Sequence, residues 1–213
     1  MGDLTAIDIL IDPEASMKEL ARSVNQRMLK SVPPPTGFAL DEHHQPHITT
    51  LQRYVQTDAL SEVFEAVKGV IDSMDLSTVT FSTLNIQHLP VAEGVGEAAV
   101  VVKPAAGVIE FQHKLIDALG PYIGSGGGPD AYVRTDAEPD INDATLNYVD
   151  HYVPTHSGDN YIAHVTVGLA RLDDLTSIEA EPVEPLTFGP SSVSVYQLGN
   201  GGTAAKHLKS WSV

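Results

Sequence analysis

The chain opens on Leu4-Thr5-Ala6-Ile7-Asp8-Ile9-Leu10-Ile11, whose apolar positions predict a strand with at least one face on a core. Pro13 starts a helical stretch, Glu14–Lys30, in which Met17, Leu20, Ala21, Val24 and Met28 recur at helical spacing. Pro33-Pro34-Pro35 and Gly37 predict an irregular connection as far as Pro46. A strand follows over His47–Val55. Thr57-Asp58 then reads as the cap of a helix to about Met74, with Leu60, Val63, Phe64, Val67, Val70 and Ile71 along one side. Leu76–Leu89, rich in Thr, Val, Phe and Ile, predicts a long strand hairpinned onto Glu97–Val102 through a Gly94/Gly96 turn.

A third helix, about Val108–Leu119, runs into Gly120-Pro121, and Gly124-Ser125-Gly126-Gly127-Gly128-Pro129 ends regular structure. Residues 130–150 are acidic, with Arg134 the lone Lys or Arg, and about Ile141–Tyr152 predicts a short helix. A strand over Tyr161–Leu169 and shorter ones at Leu186–Phe188, Ser192–Leu198 and Ala205–Ser212 complete the chain. Few of these connections read as repeated parallel crossovers, so the order predicts an α+β fold with antiparallel sheets flanked by helices.

Two of the predicted strands carry one signature, His47-Ile48-Thr49-Thr50 and His164-Val165-Thr166-Val167. In a strand, residues i and i+2 share a face, so each segment offers an imidazole beside a hydroxyl and turns a β-branched apolar residue inward. The two strands head comparable places in the two halves. That predicts two pseudo-symmetric lobes, each supplying one His-x-Thr to an active cleft between them. The whole chain, 1–213, then reads as a single bilobal domain with an insertion at about 124–158.

Composition narrows what such a cleft would take. Of 213 residues, 42% are hydrophobic and 19% charged, ordinary for a globular protein with a sizeable core. No apolar run approaches the ~18 residues of a membrane span. A soluble monomer is expected, cytoplasmic rather than periplasmic, with no membrane partner. The absence of cysteine excludes disulfides, thiolate catalysis and cysteine-ligated metals. Against 28 Asp and Glu stand 12 Lys and Arg, a formal charge of −16. Long nucleic acids are held through phosphate neutralisation by Lys and Arg. A chain this acidic is therefore expected to take a small phosphorylated substrate, such as a nucleotide or short oligonucleotide.

The paired motifs, Pro46-His47-Ile48-Thr49 and Ala163-His164-Val165-Thr166-Val167, resemble those of the two-histidine (2H) phosphoesterase superfamily, which includes RNA 2′-5′ ligase-like proteins and cyclic phosphodiesterases. Tyr161, three residues before the second histidine, and the terminal Lys206-His207-Leu208-Lys209-Ser210-Trp211 add to the likeness. Thr50 departs from it, standing where an apolar residue is usual. The resemblance implies a hydrolase acting on a 2′,3′-cyclic nucleotide or short 2′-5′-linked oligonucleotide, with reverse joining as the same chemistry. His47 and His164 would be the catalytic pair and Thr49 and Thr166 the phosphate-binding hydroxyls. Neither a cofactor nor a metal is implied. It leaves open a cyclic dinucleotide, an oligoadenylate or a non-nucleotide cyclic phosphate as substrate, and a non-catalytic phosphate-binding module as another class.

Secondary candidates are Tyr161 as a substrate contact, Arg53 by its parity with His47 and Thr49, and Arg171 as the arginine that follows the second motif. Tyr148, Tyr152 and Tyr161 are candidates for stacking a base. His43, His44 and His47 cluster, yet Pro46 and the proline-rich approach oppose the helical spacing of a zinc site. The glycine-rich 124–128 run lacks the ending of a phosphate loop. His88, His113, His151, His156 and His207 are given no role.

Overall fold

The computed structural model describes residues 3–34, 36–41, 44–104, 106–136 and 138–213; Pro35 and His43, named above, lie outside them. The first half runs β1 (Leu4–Pro13), α1 (Ala15–Ser31), β2 (Ile48–Gln56), α2 (Leu60–Asp72), β3 (Phe81–Ala92), β4 (Val95–Pro104) and α3 (Ala106–Leu119). The second runs α4 (Asp143–His156), β5 (His164–Arg171), α5 (Leu172–Glu179), β6 (Thr187–Phe188), β7 (Pro190–Leu198) and β8 (Ala204–Ser212). The strands form two four-stranded antiparallel sheets, ordered β2-β1-β7-β8 and β5-β4-β3-β6. The fold is thus α+β with two sheet lobes. Among the described residues, no helix is long and apolar enough to cross a membrane.

One apolar core serves both sheets. Ile7, Ile9 and Ile11 of β1 and Val193 and Val195 of β7 join Val100 and Val102 of β4 and Val165 and Val167 of β5 in a single buried cluster. β1 is buried along nearly its whole length, which explains why its polar alternation is weak and why it is an inner strand. The 124–158 segment covers the opposite face of the first sheet. There Ala131, Tyr132, Ile141 and Val149 form a second small core with Ala6, Tyr54 and Leu198. Gly127 permits the approach, since a Cβ there would lie 2.3 Å from the Tyr54 ring.

Several local expectations are corrected. Thr57 opens a 3₁₀ turn without capping it, because its hydroxyl pairs with Thr5 Oγ1 at 2.9 Å. Leu76–Thr78 is another 3₁₀ turn, and β3 begins only at Phe81, since Leu76 and Val79 fill the core without joining a ladder. The hairpin turns at Gly94, with φ 70°. Gly96 sits inside β4, where α5 comes so close that a Cβ would meet Leu175 Cδ1 at 2.8 Å. Helix α5 itself, with Leu175 and Ile178 buried one turn apart, was hidden among acidic neighbours.

β2 and β5 are the edge strands that carry the two signatures, and each is bulged just after its threonine. Leu10 faces Thr49 while Ile9 faces Leu51, leaving Thr50 as the extra residue. Ala99 faces Thr166 while Ala98 faces Gly168, leaving Val167 as the extra residue. Each bulge carbonyl is taken by a buried carboxamide. Asn25 of α1 donates from Nδ2 to Val167 O at 2.9 Å and Phe38 O at 2.9 Å, while its Oδ1 accepts from Leu40 N. Gln112 of α3 donates from Nε2 to Thr50 O at 2.9 Å and His156 O at 3.0 Å, while its Oε1 accepts from Gly158 N. The wiring is crossed. The chain leading to His47 is tied to the bulge after His164, and the chain leading to His164 to the bulge after His47.

Replacing either amide by Leu strands two backbone carbonyls and one N–H in the interior. Each unsatisfied group costs roughly 1–3 kcal/mol. Asn25→Leu and Gln112→Leu should therefore each lower the unfolding free energy by at least about 2 kcal/mol, measured by urea denaturation. A loss below ~0.5 kcal/mol would show that the ties are incidental.

Candidate active site

Both histidines are set by the same local device. His47 Nδ1 lies 2.7 Å from Gln45 O, and His164 Nδ1 lies 2.8 Å from Ile162 O, each the carbonyl two residues upstream. A carbonyl only accepts, so each Nδ1 carries the hydrogen and each Nε2 is left for proton transfer. β2 touches β5, and His47 lies near enough to His164 to act on it electrostatically. Burial, aided by the nearby His47, holds His164 below the ordinary imidazole value, while its bond to the Ile162 carbonyl works the other way.

The registers of the two lobes match beyond the motifs. Two residues before the residue facing Thr49, β1 carries Asp8, opposite Gln52. Two residues before the residue facing Thr166, β4 carries Glu97, opposite Leu169. Sequence reading missed both carboxylates. Asp8 is wholly buried, accepts from Thr49 Oγ1 at 2.8 Å and Gln52 Nε2 at 3.3 Å, and stands 3.6 Å from His47 Nε2, all through Oδ2. Its Oδ1 has no hydrogen-bond partner among the described residues. Burial drives its pKa up to about 6, against the opposing pull of His47, Thr49 and Gln52. Burial also raises Glu97.

The match stops at the hydroxyls. Thr49 gives its hydrogen to a carboxylate, whereas the half-buried Thr166 hydroxyl has no protein partner among the described residues.

Tyr161 joins the lobes, its hydroxyl donating to Thr49 O at 2.9 Å. Beside it, one face of α4 presents Tyr148, Tyr152 and His156 at successive four-residue steps. The His156 ring lies 4.7 Å from Tyr148 and stacks on Tyr152 at 5.3 Å. Tyr152 is buried and Tyr148 is 38% exposed. Burial, then Asp8 and Glu97, push the Tyr148 hydroxyl up to about 12, so its ring stands in the field of both carboxylates. Burial lowers His156, and His164 adds to the effect. The four-residue spacing of these rings was the available signal for His156.

Two arginines do not join the site. The bulge at Thr50 reverses strand parity, so Arg53 faces Ile7 on the core side while Gln52 takes the place beside Asp8. Arg53 Nε is buried there without a hydrogen bond among the described residues. Arg171 is at the far end of β5, about 20 Å from His164 at strand rise, with its backbone N–H on Ser31 Oγ. His44 stacks on Phe38 at 4.7 Å.

No protein-family profile and no curated protein matches the chain. Among solved structures it is similar to E. coli LigT complexed with 3′-AMP, at 16% identity over 99% of both chains and a TM-score of 0.49. It is also similar to E. coli LigT in apo form, at 16% identity over 99% of this chain and 98% of that one and a TM-score of 0.48. A crystal structure of a phosphoesterase gives 15% identity over 99% of both chains and a TM-score of 0.47. These likenesses are remote, and the chemistry must be argued from the side chains above.

An acid with a raised folded value keeps its proton at pH values where the unfolded chain has lost it. The stability held by protonated Asp8 is therefore complete below the model-carboxylate value of 3.8 and is lost as pH rises through about 6. At pH 7, Asp8→Asn should raise the unfolding free energy by up to about 3 kcal/mol, and near pH 4 by almost nothing. Urea denaturation at both pH values checks this, and an equal effect at both would contradict it.

Proposed function

We propose that the chain is a metal-independent phosphoesterase that hydrolyses a 2′,3′-cyclic nucleotide or a short 2′-5′-linked oligonucleotide. The observation that carries this reading is the pair of imidazoles from two edge strands, each with Nδ1 pinned on a carbonyl and Nε2 left for proton transfer. Displacement at phosphorus needs one group to take a proton from water and one to give a proton to the departing ribose oxygen. His164, held toward its neutral form, is the base. His47, with a carboxylate 3.6 Å from Nε2 as counter-ion, is the acid. The water oxygen bonds to phosphorus, the P–O bond of the ring breaks, and the proton from His47 goes to the freed ribose oxygen.

Thr166, Thr49 and nearby amides would hold the non-bridging oxygens as charge builds. The partly exposed Tyr148 ring at the edge of the α4 stripe favours a substrate with a base to stack. The acidic chain favours a small one. In strand joining a 5′-hydroxyl would take the place of water. Its oxygen bonds to phosphorus, its proton goes to His164, the ring P–O bond breaks and the freed ribose oxygen takes the proton from His47.

His47→Ala and His164→Ala should each abolish hydrolysis of 2′,3′-cyclic AMP while circular dichroism stays unchanged, and EDTA should leave the wild-type rate intact. Thr166→Ala should lower kcat on the order of 10²-fold. Near-wild-type turnover by either histidine variant would refute the mechanism. Binding without turnover in the wild type would make the protein a phosphate-binding module.

A further inference from the structure

A buried carboxylate is an unexpected neighbour for a hydroxyl meant to bind an anion. Thr49 has one hydrogen, and it is directed at Asp8 Oδ2, 2.8 Å away. With Asp8 ionised, Thr49 offers the cleft only lone pairs, which repel a phosphate oxygen. With Asp8 protonated at Oδ2, the bond reverses. The carboxylic acid donates to Thr49 Oγ1, and the threonine hydrogen is free to turn outward. Oδ2 is the oxygen with a threonine acceptor in reach, since Oδ1 has no hydrogen-bond partner among the described residues. Thr166, with no such partner among the described residues, donates in either state.

Resting on the phosphoesterase reading above, we infer that Asp8 is a positioning residue that makes Thr49 a donor only on taking up a proton, so that anion binding is coupled to proton uptake in one lobe and not in the other. The incoming phosphoester replaces Asp8 as counter-ion of His47 and raises the proton affinity of the carboxylate beside it. Other ionisable groups facing Asp8 are Asp12 on its own strand, Tyr196 across on β7, Tyr148 and Tyr152 from α4, and Tyr161 before β5. The tyrosines are all raised above their ordinary value. They therefore keep their protons between about pH 5 and 8, where Asp8 titrates.

Inorganic sulfate is a suitable probe because its charge is constant across that range and it cannot turn over. Calorimetric titration would compare wild type, Asp8→Asn, Thr49→Val and the double variant. Near pH 5, wild type and Asp8→Asn should bind sulfate alike. Near pH 8, where about 1% of Asp8 remains protonated, Asp8→Asn should bind up to about 100-fold more tightly than wild type. In the Thr49→Val background that gain should shrink by about tenfold or more, because direct charge repulsion alone survives. Equal sulfate affinity of wild type and Asp8→Asn near pH 8 overturns the inference, as does an undiminished gain in Thr49→Val.

Should Asp8→Asn not fold, carboxyl-carbon NMR of the wild type gives the same answer. The Asp8 midpoint should rise by at least about one unit under saturating sulfate, and an unmoved midpoint overturns the coupling. Sulfate binding without Asp8 dependence leaves the phosphoesterase reading standing. Failure of the wild type to bind sulfate even near pH 5 removes both.

Discussion

Two buried carboxamides hold the cleft in register. Asn25 and Gln112 each satisfy a β-bulge carbonyl in one lobe and two backbone groups of the chain approaching the other lobe's histidine. A bulge leaves its extra residue out of the ladder, and a buried carbonyl left over in this way needs a partner. The bulges in turn decide which residues look into the cleft. They let His and Thr share a face up to the threonine and then change the parity, which brings Gln52 to Asp8 and sends Arg53 to the core side. The bulge carbonyls and the approaches to both histidines are therefore held by two buried amides.

Charge enters the site in a way that net composition does not foretell. A formal −16 describes the surface, yet the groups that matter are Asp8, fully buried, and Glu97, half-buried, at matching registers of the two lobes. Burial makes both poorer acids, so the cleft is less negative than its residue list suggests. The lobes keep a common backbone plan and differ in how tightly each acid engages its threonine. A nearly twofold frame thereby carries an unsymmetrical set of donors.

Much of this was legible in the chain. The two His-x-Thr strands, the hairpin at Gly94, the first helix and the α+β class followed from periodicity and turn residues, because those signals are local. Arg53 was misread because period-2 reasoning runs through a bulge without noticing it. Asp8 was passed over because one acid in an apolar strand reads as an interruption, and only the register shows it beside Thr49. Asn25 and Gln112 sit in ordinary amphipathic helices, where an amide on the buried side leaves little trace. Thr57 looked like a cap until its hydroxyl found Thr5 across the sheet. What was lost in each case was a partner distant in sequence.

The crossed ties also bear on the order in which the molecule can be assembled. Asn25 and Val167 are separated by 142 residues, and β1 gains β7 as a neighbour only near the end of the chain. During synthesis, α1 emerges with its amide pointing at a strand that does not yet exist, and the approach to His47 stays unanchored until β5 arrives. Contacts of such long sequence separation form late and slowly. A nascent chain therefore has its first histidine long before the two lobes can meet around it. Closure of the cleft is thus a late event of folding, and the cleft cannot belong to either half alone.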